Sequence, residues 1–223
     1  MRLPRWQARL AGGALVAFGL VSLAVALTAW YKYRLLAGAS VSGPYVDNPW
    51  VEADVYFRNL VGWRTGLLLL ALFQFSVWLA GMRDVADVLW REGQRRRRAW
   101  LVFGWVIPVA QLFVPKMFVN DLWAAARPKG RRQRGHPLLT AWWLSVLAAA
   151  NGYGHGLEDL KQAADVDEAR HALRQMMIGE SLHVCVAVLS IIVVWRLVRR
   201  LERAVAMTPT DVPPADTAAP ALA

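Results

Sequence analysis

Two E-x-x-H pairs, Glu168 with His171 and Glu180 with His183, are the residues whose types and spacing best suit chemistry. Three-residue spacing sets carboxylate and imidazole on one face of a helix, the arrangement by which di-iron carboxylate bundles hold their metals. On one continuous helix the two pairs would stand about 18 Å apart, too far to share a centre within one chain. Such a centre also draws glutamates from two further helices, and the apolar runs of this chain supply none. His155, Glu158 and Asp159 are the nearby residues that could complete a mononuclear site instead. The alternative is that all of them are solvated loop residues or structural pairs. Glu180 and His183 stand out because they fall inside an apolar run, where ionisable groups usually have a reason to be present. Cys185 is the only cysteine, so neither an internal disulfide nor a cysteine cluster can form within one chain. No P-loop, G-x-S-x-G or H-E-x-x-H occurs, which leaves nucleotide and hydrolase chemistry without support. No cofactor is expected, and the reading leans away from an enzyme.

These side chains sit in 223 residues, of which 57% are hydrophobic, gathered in long blocks of the kind a bilayer demands. Leu10 to Trp30 is a run of 21 residues without a charge, long enough as a helix to cross roughly 30 Å of hydrocarbon. Arg2, Arg5 and Arg9 precede it, and Ala24 and Ala26 offer a small-x-small cleavage pattern. The run is longer than a signal-peptide core and ends in Trp30, Tyr31 and Tyr33, so it reads as a retained span. Further spans are expected at 65–82, 138–154 and 176–195, with the long stems of Arg58 and Arg64 snorkelling to headgroups beside the second. Met82, Val85 and Leu89 recur at helical spacing beyond it, and Arg83 can pair with Asp87, so that helix is expected to continue. Gly13 with Ala17, and Gly152 with Gly156, are spaced for close helix packing. Residues 1–204 form one polytopic domain in this reading, and the Pro, Ala, Thr and Asp of 205–223 form a disordered tail.

Between the second and third spans lies a shorter apolar segment, Trp100 to Pro115, whose 16 residues would cover only about 24 Å as a helix. Pro108 and Pro115 each remove a backbone donor from it. Charge fixes the expected topology. With the N-terminus inside and this segment not crossing, three basic residues precede span one, six lie between Arg83 and Arg98, six between Lys116 and Arg134, and four follow span four. If the segment crossed, a flank of six positive charges would lie outside, against the positive-inside rule. The expected fold class is therefore an all-α integral membrane protein of four transmembrane helices plus a proline-broken re-entrant or interfacial helical segment, multi-pass in the cell membrane, with both termini cytoplasmic.

That segment continues as KMFVNDLW. The whole stretch resembles the signature of a bacterial membrane family catalogued as domain of unknown function 4328. The matching positions are Trp105, Ile107, Pro108, Pro115, Leu122 and Trp123. This chain has Gln111 where Asn is common in the family, and Val114 where a basic residue is common. The resemblance implies membrane location and architecture, and no activity. Physically, a proline break at membrane depth either packs as a kinked hairpin against the spans or exposes backbone groups to a water-filled cavity.

Arg95, Arg96, Arg97 and Arg98, with Arg127, Lys129, Arg131, Arg132 and Arg134, mark the inner surface and would attract anionic headgroups at about 1 kcal/mol per residue. The expected partners are the anionic inner face of the bilayer and a second copy or another membrane protein. Nucleic acid is not expected, because the net charge of +10 is explained by topology. Three functions stay open: a non-enzymatic scaffold or regulatory protein with a basic cytoplasmic face; an oligomeric small transporter or channel component using Gln74, Gln111 and Asn151; and a metal-binding or redox protein using the outer His and acidic residues.

Overall fold

The computed structural model describes residues 5–38, 49–94, 99–100, 103–104, 107–128, 130, 132, 135–152 and 156–207. The described elements are helical: α1 (Arg5–Gly38), α2 (Pro49–Trp90) with a 3-10 turn at Arg91–Gly93, α3 (Pro108–Gln111), α4 (Val114–Ala125), α5 (Pro137–Gly152), α6 (Gly156–Gln162) and α7 (Val166–Ala206). Three of them, α1, α2 and α7, are long and apolar enough to cross a membrane, while α5 is a shorter apolar helix of 16 residues. Each long helix outruns its apolar run. In α2 the continuation expected from Met82, Val85 and Leu89 is present, the first two buried, and Arg83 Nε donates to Asp87 Oδ1 at 2.9 Å. At the start of α7, Asp165 accepts from the Glu168 amide while Glu168 accepts from the Ala164 amide, both at 2.8 Å, a reciprocal cap that satisfies donors the first turn leaves free.

α1 lies along both α2 and α7, and α5 packs on α7. Its buried face runs through Ala11, Ala14, Phe18, Ser22, Val25, Ala29 and Lys32, the three- and four-residue spacing of one helical stripe. Leu20, Leu23 and Leu27 point outwards and are exposed. Gly13 is exposed too, so the glycine that brings helices together is another one. A Cβ on Gly19 would stand 3.0 Å from that of Ala187 on α7, which makes this the close approach of the first and last helices.

The bundle has two distinguishable ends. At one, Arg5 Nε donates to Glu202 at 2.7 Å, so the described ends of α1 and α7 lie together. The Trp123 ring there sits 4.7 Å from the His136 ring, just before α5. At the other end, Arg170 donates to the Leu36 carbonyl at 2.9 Å, and a second apolar cluster joins Val25, Ala29, Phe57, Leu173 and Met176. Leu157 and Leu160 of α6 pack on that cluster. The chain therefore leaves the first end at His136 and arrives at the second by α6, and α5 makes the traverse.

The segment before α5 does not follow that path. Phe118, Val119, Leu122 and Trp123 of α4 belong to the same core as Met82, Val85 and Ala86, near the end of α2. α4 touches both α2 and α5 and fills the space between them at the first end. Pro108 and Pro115 stand in the first turns of α3 and α4, where a missing N–H costs no helical hydrogen bond. They begin two short helices rather than kink one.

Candidate functional site

A buried polar arrangement inside the bundle joins α2 to α7. Arg64 donates from Nη1 to Glu180 Oε1 at 2.8 Å, and Glu180 Oε2 faces His183 Nδ1 at 3.3 Å, without the angle of a hydrogen bond. Glu180 is buried and Arg64 keeps only 22% of its side-chain exposure, so the arginine expected to snorkel outwards turns inwards instead. A carboxylate on a buried helix face draws the guanidinium because neither can be left alone there. The His183 ring meets Phe18 edge to face, with centroids 5.7 Å apart. Arg64 holds one oxygen of Glu180 and leaves the other towards His183.

The other sequence candidates separate. Both E-x-x-H pairs lie on the single helix α7, the case in which they stand too far apart to share a centre. Glu168 is committed to the cap, and His171 Nε2 lies 3.3 Å from Gln175. Glu158 meets Lys161 and Gln162 on exposed α6. His155 lies outside the described residues. Among the described residues no three His, Cys, Asp or Glu side chains come together.

Below the triad is a cavity of about 250 Å³, walled by α1, α2, α5 and α7 and reached by Gln111 of α3. Its lining is almost wholly apolar, including Phe18, Ala71, Phe75, Trp142, Trp143 and Val146. The two indole N–H groups in the walls are engaged. Trp142 Nε1 donates to Ser190 Oγ at 2.9 Å, and Trp143 Nε1 donates to the Leu112 carbonyl at 3.0 Å. Leu112 follows α3, where a turn leaves carbonyls free, so the indole supplies the partner the backbone lacks. Trp142 and Trp143 carry no functional signal in the sequence beyond two adjacent tryptophans inside an apolar run.

The described motif residues and the described basic residues meet at the first end of the bundle. Leu122 and Trp123 are fully buried, Ile107 precedes α3 and is exposed, and Trp105 lies outside the described residues. The Arg200 guanidinium lies over the Trp123 ring at 4.0 Å. Arg132 lies over Trp90 at 4.6 Å and donates to the Leu89 carbonyl at 3.1 Å. Arg127 is half-buried beside them, whereas Arg95, Arg96, Arg97, Arg98, Lys129, Arg131 and Arg134 lie outside the described residues. Burial, then the positive charges of Arg200, Arg127 and Arg196, hold the His136 imidazole below its ordinary value. Its Nδ1 accepts the Leu138 amide at 3.2 Å, which a neutral ring can do and a doubly protonated one cannot.

A helical bundle with three helices able to cross a membrane, a polar triad inside it and a basic end defines the class. Within that class, the chain belongs to the family described as Domain of unknown function (DUF4328), whose model matches residues 45–199. The match takes in α2 to most of α7, and the motif residues at 105–123 lie within it. No curated protein and no solved structure matches the chain.

Proposed function

We propose that this protein is a four-span protein of the cell membrane, with α1, α2, α5 and α7 crossing, both termini cytoplasmic, and α3 and α4 entering from the cytoplasm and returning to it. It acts without catalysis, as a scaffold or regulatory partner, through a basic cytoplasmic face that docks on anionic headgroups and on a membrane protein partner. One observation carries this reading: the ends of α1 and α7 and the arginines stacked on Trp90 and Trp123 gather at a single end of the bundle. The positive-inside rule assigns such an end to the cytoplasm. The indole bond to the Leu112 carbonyl supports the re-entrant segment, because backbone at membrane depth is tolerated where protein covers it.

Accessibility of single cysteines tests the topology. In a Cys185→Ser background, Arg98→Cys, Val109→Cys and Lys129→Cys should all resist an impermeant thiol reagent applied to intact cells. Permeabilised cells should expose Arg98→Cys and Lys129→Cys and leave Val109→Cys slow. External labelling of one flank alone means that the segment crosses and overturns the four-span reading. Crosslinking in native membranes then identifies the partner; recovery of uncrosslinked chain alone counts against the scaffold. A second reading, an oligomeric transporter or channel component, is favoured by the cavity that reaches Gln111, and solute flux into proteoliposomes decides for it.

A further inference from the structure

We infer that the cavity between α2 and α5 holds a single hydrocarbon chain of a membrane lipid, inserted sideways from the bilayer. The inference rests on the membrane-spanning reading above and adds a ligand to it. Four helices wall the space, yet α2 and α5 are held apart at one end by α4, which wedges between them. Above the wedge the gap stays open. Leu72 on α2 and Ala150 on α5 line the cavity and are also exposed, so its mouth lies between those two helices. Leu69, Phe73 and Leu144, the chain neighbours of the lining residues Leu68, Leu72 and Trp143, are exposed, so both helices carry apolar surface beside the lining.

The chemistry of the walls selects the ligand. The Trp142 and Trp143 indoles donate into the protein, to Ser190 and Leu112, and His183 turns Nδ1 towards Glu180, so what faces the space is chiefly aromatic and aliphatic carbon. Water needs two or more polar partners to reside in such a cavity, and an apolar one of about 150 Å³ stays dry and takes benzene. A larger apolar space with a mouth opening onto acyl chains has one abundant candidate ligand. A polar solute would strip its hydration for almost no hydrogen bonds in return.

Reconstitution with a phosphatidylcholine carrying a photoactivatable diazirine near the end of one acyl chain tests this, with labelled residues mapped by mass spectrometry. The outward residues Leu20 and Leu23 of α1 report ordinary lipid contact, and the inward residues Ala71, Trp142 and Val146 report the cavity. Labelling at both sets is expected. Ala71→Trp or, nearer the mouth, Ala149→Phe should lower the inward labelling roughly tenfold, as loss of about 1.4 kcal/mol of affinity does, and leave the outward labelling unchanged. Outward labelling without inward labelling, or inward labelling indifferent to both substitutions, overturns the proposal. Absence of labelling at Leu20 and Leu23 as well overturns the membrane-spanning reading instead, so the two failures are distinct.

Discussion

The two ends of the bundle weight their charge differently. At the end where α1 begins and α7 finishes, Arg132 lies over Trp90, Arg199 over Trp195 at 3.8 Å and Arg200 over Trp123, beside the ion pairs Arg5–Glu202 and Arg83–Asp87. At the opposite end the exposed Arg34 and Arg174 lie over Trp30 and Tyr33, while the inward cations meet carboxylates. Lys32, buried to 1% of its side-chain exposure, bonds Asp54 at 2.5 Å, Arg58 meets the other oxygen of Asp54 at 3.3 Å, and Arg64 meets Glu180. An aromatic face stabilises a guanidinium without cancelling its charge, whereas a carboxylate cancels it. At the first end three cations are therefore stabilised without being neutralised, whereas the inward cations of the second end are neutralised. For a membrane protein, that difference makes topology a property of the folded bundle as well as of the loops.

The comparison can be broken most severely at the neutralised end. Arg64→Ala or Glu180→Ala leaves a buried charge without its partner and should cost about 3–5 kcal/mol, read as a large drop in thermal midpoint of the protein in detergent. Replacing both with Met should recover much of that loss, since the apolar pair has nothing to desolvate. If the single substitutions are as mild as the double, the pair is not buried in the way described. At the basic end the effect should be smaller. Arg200→Gln removes the stack on Trp123 and should cost about 1 kcal/mol. Substituting Lys at the same position should retain the charge and part of the stabilisation.

The smallest effect sharpens the comparison through pH. The His136 imidazole is held below 6.5 in the fold, so as pH falls past 6.5 the unfolded chain binds a proton that the folded chain refuses. Stability should accordingly decline below that pH until the lower folded value is passed, and level off there. His136→Gln should flatten this decline in a series of melts between about pH 7 and pH 5. An unchanged slope would assign the acid sensitivity to another group.

Much of the helical layout was legible in the sequence. Long charge-free runs announced α1, α2 and α7, and the period of Met82, Val85 and Leu89 announced the extension of α2. The E-x-x-H spacing left open whether both pairs share one helix, and they do, on α7. The partner of Glu180 was not legible, because Arg64 precedes its own apolar run and nothing local distinguishes an outward stem from an inward one. The close approach of α1 to α7 at Gly19 was missed for a related reason. Gly13 and Gly19 look alike along one helix, and only the position of Ala187 on a distant helix tells them apart. The cavity depends on four helices at once, which no local pattern encodes.

The seam between Gly19 and Ala187 also bears on the order of synthesis. α1 is made before α7, its principal neighbour. At ribosomal speeds of about 5–20 residues per second, the interval between them is on the order of ten seconds. Through that interval the stripe of Ala11, Phe18 and Ser22 has no α7 to cover it. The nascent first helix must wait with a buried-type face, including a serine hydroxyl, turned to whatever surrounds it. Until α7 emerges, α2 is the one long neighbour there to pack against that face.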